Sequence, residues 1–212
     1  AIDATAPIHI HIAEQTQEVD ACLEWSGQRP VAWLLDHADV NHRWSLIHAT
    51  HMDADEYARA AASGAVAGLC PSTEANLGDG IFDLPRWEQG AGRWGIGSDS
   101  HISVNAAEEL MVLEYGQRLR SLQRNVGASA AQPHVATHLM NQAVLGGAQA
   151  TGRPVAGLAV GQQADWVVLQ DSHVALAGLN APEQLDSHVF ASGRTSAIDS
   201  VWVAGVARTS GG

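Results

Sequence analysis

The chain has 212 residues, 46% of them hydrophobic, which is enough to bury a substantial core in one or two domains. Lys and Arg number 11 against 23 Asp and Glu, and the resulting formal charge of -12 repels phosphate backbones and anionic lipid head groups, disfavouring nucleic-acid and membrane-surface roles. No apolar run approaches the roughly 20 residues that span a bilayer, and Cys22 and Cys70 have neither the spacing of a thiolate metal site nor the density of a disulfide scaffold, so a soluble protein of a reducing cytoplasm is expected.

Residue 1 is Ala, and an apolar strand bearing two histidines follows at once over 7–12, so the chain is expected to begin inside a domain. A helix is predicted over 16–26 with Gly27 as its C-cap, then a short one over 31–37. The next strand is 45–48. After it, Asp53 and Glu56 have capping-box spacing, with Met52 and Tyr57 as a hydrophobic staple, and Gly64 ends that helix. A third strand is predicted over 65–69, a Gly- and Asn-containing loop over 71–80, and a fourth strand over 94–97. Short strands alternating with helices give βα units around a parallel sheet, and four strands are half of a (β/α)8 barrel. Asn105 and Glu108 open a long amphipathic helix whose face is expected to carry Met111, Tyr115, Leu119, Leu122 and Val126. Another helix is predicted over 134–150. The stretch 161–212, with apolar runs at 166–169 and 201–206, reads as β-rich.

Polar residues stand at the strand ends, where a parallel barrel builds its active site. Alternation puts His9 and His11 on one face of the first strand and leaves Glu14 in the following loop. His48 ends the second strand, and Asp99 follows the fourth. Taken singly, each also reads as a solvated histidine, a helix N-cap or a turn residue. Together they supply imidazole and carboxylate ligands converging on one point.

In that order, His11 with Glu14, then His48, then Asp99 resemble the amidohydrolase superfamily, whose fifth, sixth and eighth barrel strands end in a metal-binding His, a His near the reactive water and an Asp. The segments 145–152 and 157–169 are similar to the stretch where these enzymes leave the barrel for a small β-sandwich. Four longer strings, 9–15, 48–52, 70–80 and 97–101, resemble the formimidoylglutamate deiminases of histidine breakdown more than the guanine, adenosylhomocysteine or chlorotriazine members.

The resemblance implies the C-terminal half of the barrel, strands five to eight, over 1–152, and part of the β-sandwich over 153–212. It implies one Zn2+, held by His11, Asp99 and two first-strand histidines that these 212 residues do not include. Asp99 would take the proton of the attacking water, His48 would orient that water and stabilise charge, and Glu14 would protonate the leaving nitrogen. The substrate would be a small molecule, N-formimidoyl-L-glutamate, giving N-formyl-L-glutamate and ammonia. His48, Asn76 and His101 are its candidate contacts, Asn76 being equally a turn residue. No Arg lies beside a motif, so the clamp for the substrate carboxylates is expected outside the chain. Exposed strand edges make a homodimer possible. The competing readings are a family deaminase or chlorohydrolase acting on a heterocycle, and a non-catalytic half-barrel that binds or assembles.

Overall fold

The computed structural model describes residues 5–192 and 195–210; the outer ends of the two expected segments, 1–4 and 211–212, and residues 193–194 within the second lie outside the described residues. Strands β1 (Ile8–Ile12), β2 (Trp44–His48), β3 (Val66–Leu69) and β4 (Arg93–Ile96) form a parallel sheet in chain order. Helices α1 (Thr16–Ser26), α2 (Pro30–His37), α3 (Ala54–Ala62), α4 (Pro71–Leu77) and α5 (Leu84–Gln89) fill the connections. After β4 come α6 (Ala106–Ser121) and α7 (Val135–Thr151). A separate antiparallel sheet holds β5 (Trp166–Leu169), β6 (Ile198–Val203) and β7 (Val206–Ser210), with α8 (Ala181–Phe190) between its first two strands. Among the described residues no helix is long and apolar enough to cross a membrane.

The strands form where apolar residues must be covered. Leu46, Val66, Ala67, Leu69 and Trp94 are fully buried, the pattern of parallel strands shielded on both faces. Edge strand β1 pairs with β2 alone and alternates, with His9 and His11 exposed and Ile12 buried. At α3 the capping box of Asp53 and Glu56 is complete, and Glu56 also accepts from the Val31 and Ala32 amides, fastening α2 to α3.

Helix α7 docks on β4 backbone to backbone. A Cβ on Gly146 would lie 1.8 Å from the Trp94 carbonyl oxygen, and one on Gly95 would lie 3.1 Å from the Gly147 nitrogen. Its last turn ties the ends at which the strands begin: the Gln149 amide donates to the carbonyls of His42 (2.9 Å) and Gly64 (2.8 Å) and accepts from Arg93 (3.2 Å). His9 Nε2 bonds the Ala150 carbonyl at 2.8 Å.

Three local expectations are corrected. The predicted loop over 71–80 contains α4, started by Pro71 and ended by Gly78 at φ 75°. Its start is capped from elsewhere, because Glu109 of α6 accepts from both the amide and hydroxyl of Ser72. The face expected for α6 is not its buried one: Leu119 and Leu122 are 75% and 90% exposed, the helix stops at Ser121, and Ala107, Glu109, Leu110, Leu113, Glu114 and Gln117 are buried instead. The three polar members of that face each have a fixed partner, so burying them is tolerated. In the tail, the apolar run at 201–206 is split into β6 and β7 by a turn at Ala204 and Gly205, both at positive φ, and α8 interrupts the expected β-rich stretch.

Candidate active site

The turns after β1, β2 and β4 open with residues in the left-handed backbone region: Ala13 at φ 49°, His48 at 66°, Ala49 at 48° and Asp99 at 37°. For non-glycine residues this costs roughly 1 kcal/mol each. Backbone bonds from Ala49 to Ile12 and from His51 to Ala13, both 3.0 Å, hold the first two turns side by side. Their joint effect is to bring polar side chains from separate strands to one place.

His11, His48 and Asp99 each offer one ligand atom, and these atoms lie within 4.8 Å of one another. The His11 and His48 rings meet edge to face, 5.0 Å between centroids. His48 is fully buried. Its Nε2 is 3.6 Å from Glu14 Oε1 and 4.0 Å from Asp99 Oδ2, and is a buried atom with no hydrogen-bond partner among the described residues. Of the other expected positions, His101 is exposed in the turn that follows Asp99, and Asn76 is exposed on α4; neither joins the three-residue cluster.

Three acidic residues escaped the sequence reading. Glu74 of α4, buried, places Oε1 3.1 Å from His48 Nδ1 and 2.9 Å from the Cys70 amide. Glu18 of α1 accepts from the amides of Ala13 (2.7 Å) and Glu14 (2.9 Å), so the backbone that carries Glu14 is held from below. Asp79 accepts from Gln15 at 2.9 Å while its carbonyl bonds His51 at 2.6 Å, joining the turns after β1 and β2 to the chain leaving α4. Glu18 leaves in sequence only an acid in the first turn of a predicted helix, which reads as an ordinary response to the helix dipole, and Glu74 falls in a stretch that reads as a loop.

Burial pushes the Glu14 carboxyl above the ordinary carboxylate range, with the charges of Asp79 and Asp99 acting the same way and those of His48 and His11 opposing. Burial works to lower the His48 pKa, but the Glu74 hydrogen bond and the charges of Glu14, Glu74 and Asp99 outweigh it and hold it above the usual histidine value. The nearby Cys70 thiol is pushed up to about 12 by burial, which leaves it protonated and a poor nucleophile. Imidazole nitrogens and a carboxylate oxygen at this spacing, with one imidazole nitrogen buried and unpartnered, suit a borderline cation such as zinc.

The model of the amidohydrolase family matches residues 1–208. A formimidoylglutamate deiminase from Pseudomonas aeruginosa is 52% identical over 94% of this chain and 44% of its own length. A crystal structure described as an amidohydrolase from Brucella melitensis superposes with a TM-score of 0.91 at 48% identity, over 98% of this chain and 45% of the other. An adenosine deaminase from Xanthomonas campestris with bound zinc shares the fold, with a TM-score of 0.82 at 24% identity, over 97% of this chain and 46% of the other. The chain thus spans a little under half the length of these relatives.

Proposed function

Because this chain belongs to the amidohydrolase family, we propose that the protein it forms hydrolyses N-formimidoyl-L-glutamate to N-formyl-L-glutamate and ammonia. The observation that carries the chemistry is the meeting of His11, His48 and Asp99 within 4.8 Å, with the Glu14 carboxylate 3.6 Å from His48. The choice of substrate rests on the 52% identity to the Pseudomonas deiminase.

His11 and Asp99 would hold one zinc ion, whose Lewis acidity brings the pKa of water toward neutrality. Its remaining ligands in this reading are two histidines of the barrel's first strand, beyond these 212 residues. Asp99 accepts the proton of the attacking water, and His48, aiming Nε2 at the same space, orients that water and stabilises charge in the transition state. The water oxygen bonds to the formimino carbon as the C=N π bond opens, and Glu14, whose raised pKa suits it to be a proton donor, protonates that nitrogen to an amino group. The proton held by Asp99 then passes to the amino group, the hydroxyl proton returns to Glu14, and the remaining C–N bond breaks to leave the formyl C=O and ammonia. His48, at the end of β2, Asn76, near the end of α4, and His101, in the turn after Asp99, are the proposed substrate-contacting positions. In the same reading β1 to β4 are strands five to eight of a (β/α)8 barrel within 1–152, and 153–212 contributes to a small β-sandwich.

The test is ammonia release by the purified full-length protein offered N-formimidoyl-L-glutamate, guanine and an adenine nucleoside. Turnover of the formimino substrate at least a hundredfold above the others is expected. Preference for a heterocycle would sink the substrate assignment while leaving the hydrolytic chemistry.

A further inference from the structure

We infer that Glu74 is a positioning residue: it holds the His48 ring as the tautomer protonated at Nδ1 and so keeps Nε2 bare toward Glu14 and Asp99. The inference rests on the function proposed above for its consequence in turnover, but not for the proton's location. Glu74 Oε1 is 3.1 Å from His48 Nδ1 and simultaneously accepts the Cys70 amide at 2.9 Å. As a carboxylate, Glu74 can only accept, so its Oε1 takes the Cys70 amide and the imidazole N–H together, and the ring nitrogen is the donor. Glu74 and His48 are 5% and 0% exposed, so no water competes for either end of the bond. The opposite ring nitrogen then has no proton in the neutral ring. This accounts for a buried Nε2 that has no hydrogen-bond partner although two carboxylates lie 3.6 and 4.0 Å away: lone pairs face lone pairs, and nothing is available to donate.

The consequence is chemical. A bare Nε2 can accept a hydrogen bond from an incoming water, whereas the other tautomer would offer that water only a donor and orient it wrongly. Glu74 reaches no substrate in this arrangement. It acts through His48, and its carboxylate also stabilises the ring whenever charge develops there, the logic by which a buried acid behind a histidine supports catalysis elsewhere. Glu74 is itself anchored on the Cys70 amide at the start of α4, and that start is fixed in turn by Glu109 on Ser72, so two carboxylates in succession set the ring's orientation.

The experiment is nitrogen-15 NMR of the histidine rings in the full-length protein as purified, at pH 9, together with steady-state kinetics, for wild type and Glu74→Gln. The glutamine keeps the shape but can donate as well as accept, which frees the ring to adopt either tautomer. Wild type should show His48 protonated at Nδ1 alone. The variant should show a mixture or the opposite tautomer, with kcat lowered at least tenfold and KM within about twofold, since orientation of the reacting water matters only at the chemical step. A wild-type His48 carrying a proton at Nε2 overturns the inference, as does a variant that keeps both the Nδ1 tautomer and full kcat. Should the variant fail to fold, the wild-type spectrum still decides. Absence of ammonia release by wild type would remove the proposed reaction without touching the tautomer result, so the two failures are separable.

Discussion

Glu14 and Asp99 carry the same functional group, yet neutralising each should have different results. With Glu14 as the proposed proton donor and not a ligand, Glu14→Gln should cut turnover by roughly 10²- to 10⁴-fold while zinc content stays at the wild-type level. Asp99→Asn removes the proposed proton acceptor and, with it, a proposed charged ligand, so activity and zinc should fall together. Ammonia release and zinc analysis on the same samples check both; full turnover by Glu14→Gln would refute the assigned role. That His11, His48 and Asp99 come together was legible in sequence from their order at successive strand ends, each alone reading equally as a solvated, capping or turn residue. Glu74 was not, since its partner His48 is 26 residues away and only the folded chain makes them neighbours. Glu18 shares that difficulty in milder form, as its function depends on the left-handed turn at Ala13 that no local sequence signal announces.

At the scale of elements, the seam between α7 and β4 gives the sharpest prediction. A methyl at Gly146 would collide with the Trp94 carbonyl, and backbone on both sides leaves no flexible side chain to yield, so Gly146→Ala should lose on the order of 3 kcal/mol or fail to fold. At Gly147 an added Cβ meets nothing within 4 Å, and Gly147→Ala should gain about 0.5 to 1 kcal/mol from helix propensity alone. Thermal or urea unfolding of the pair decides this, and equal effects at the two positions would refute the close approach. The four parallel strands, α1, α3 and α7 were readable from alternation, caps and glycine stops. Helix α4 was hidden because its opening amide is capped by Glu109, 37 residues further on. The buried face of α6 was misjudged for a related reason: Glu109, Glu114 and Gln117 sit inward with their partners supplied by other segments, so apolar periodicity pointed to the wrong side.

For the whole molecule, the two ligands proposed here, His11 and Asp99, leave the shell of a tetrahedral ion half open, so a polypeptide limited to these 212 residues should bind zinc at least 10²-fold more weakly than the full-length protein. Competition with a chromogenic chelator measures both, and stoichiometric, tight binding by the short form would indicate a further ligand, with His101, in the turn after Asp99, the first to test.

The ties made by Gln149, Arg93 and His9 lie where the strands begin, and the reactive side chains stand where they end. Substitutions among the reactive turns therefore leave the bonds that hold the sheet against α7 untouched. Such a molecule is evolvable: its chemistry can be rewritten at one end while the opposite end, under a separate selection for folding, stays the same.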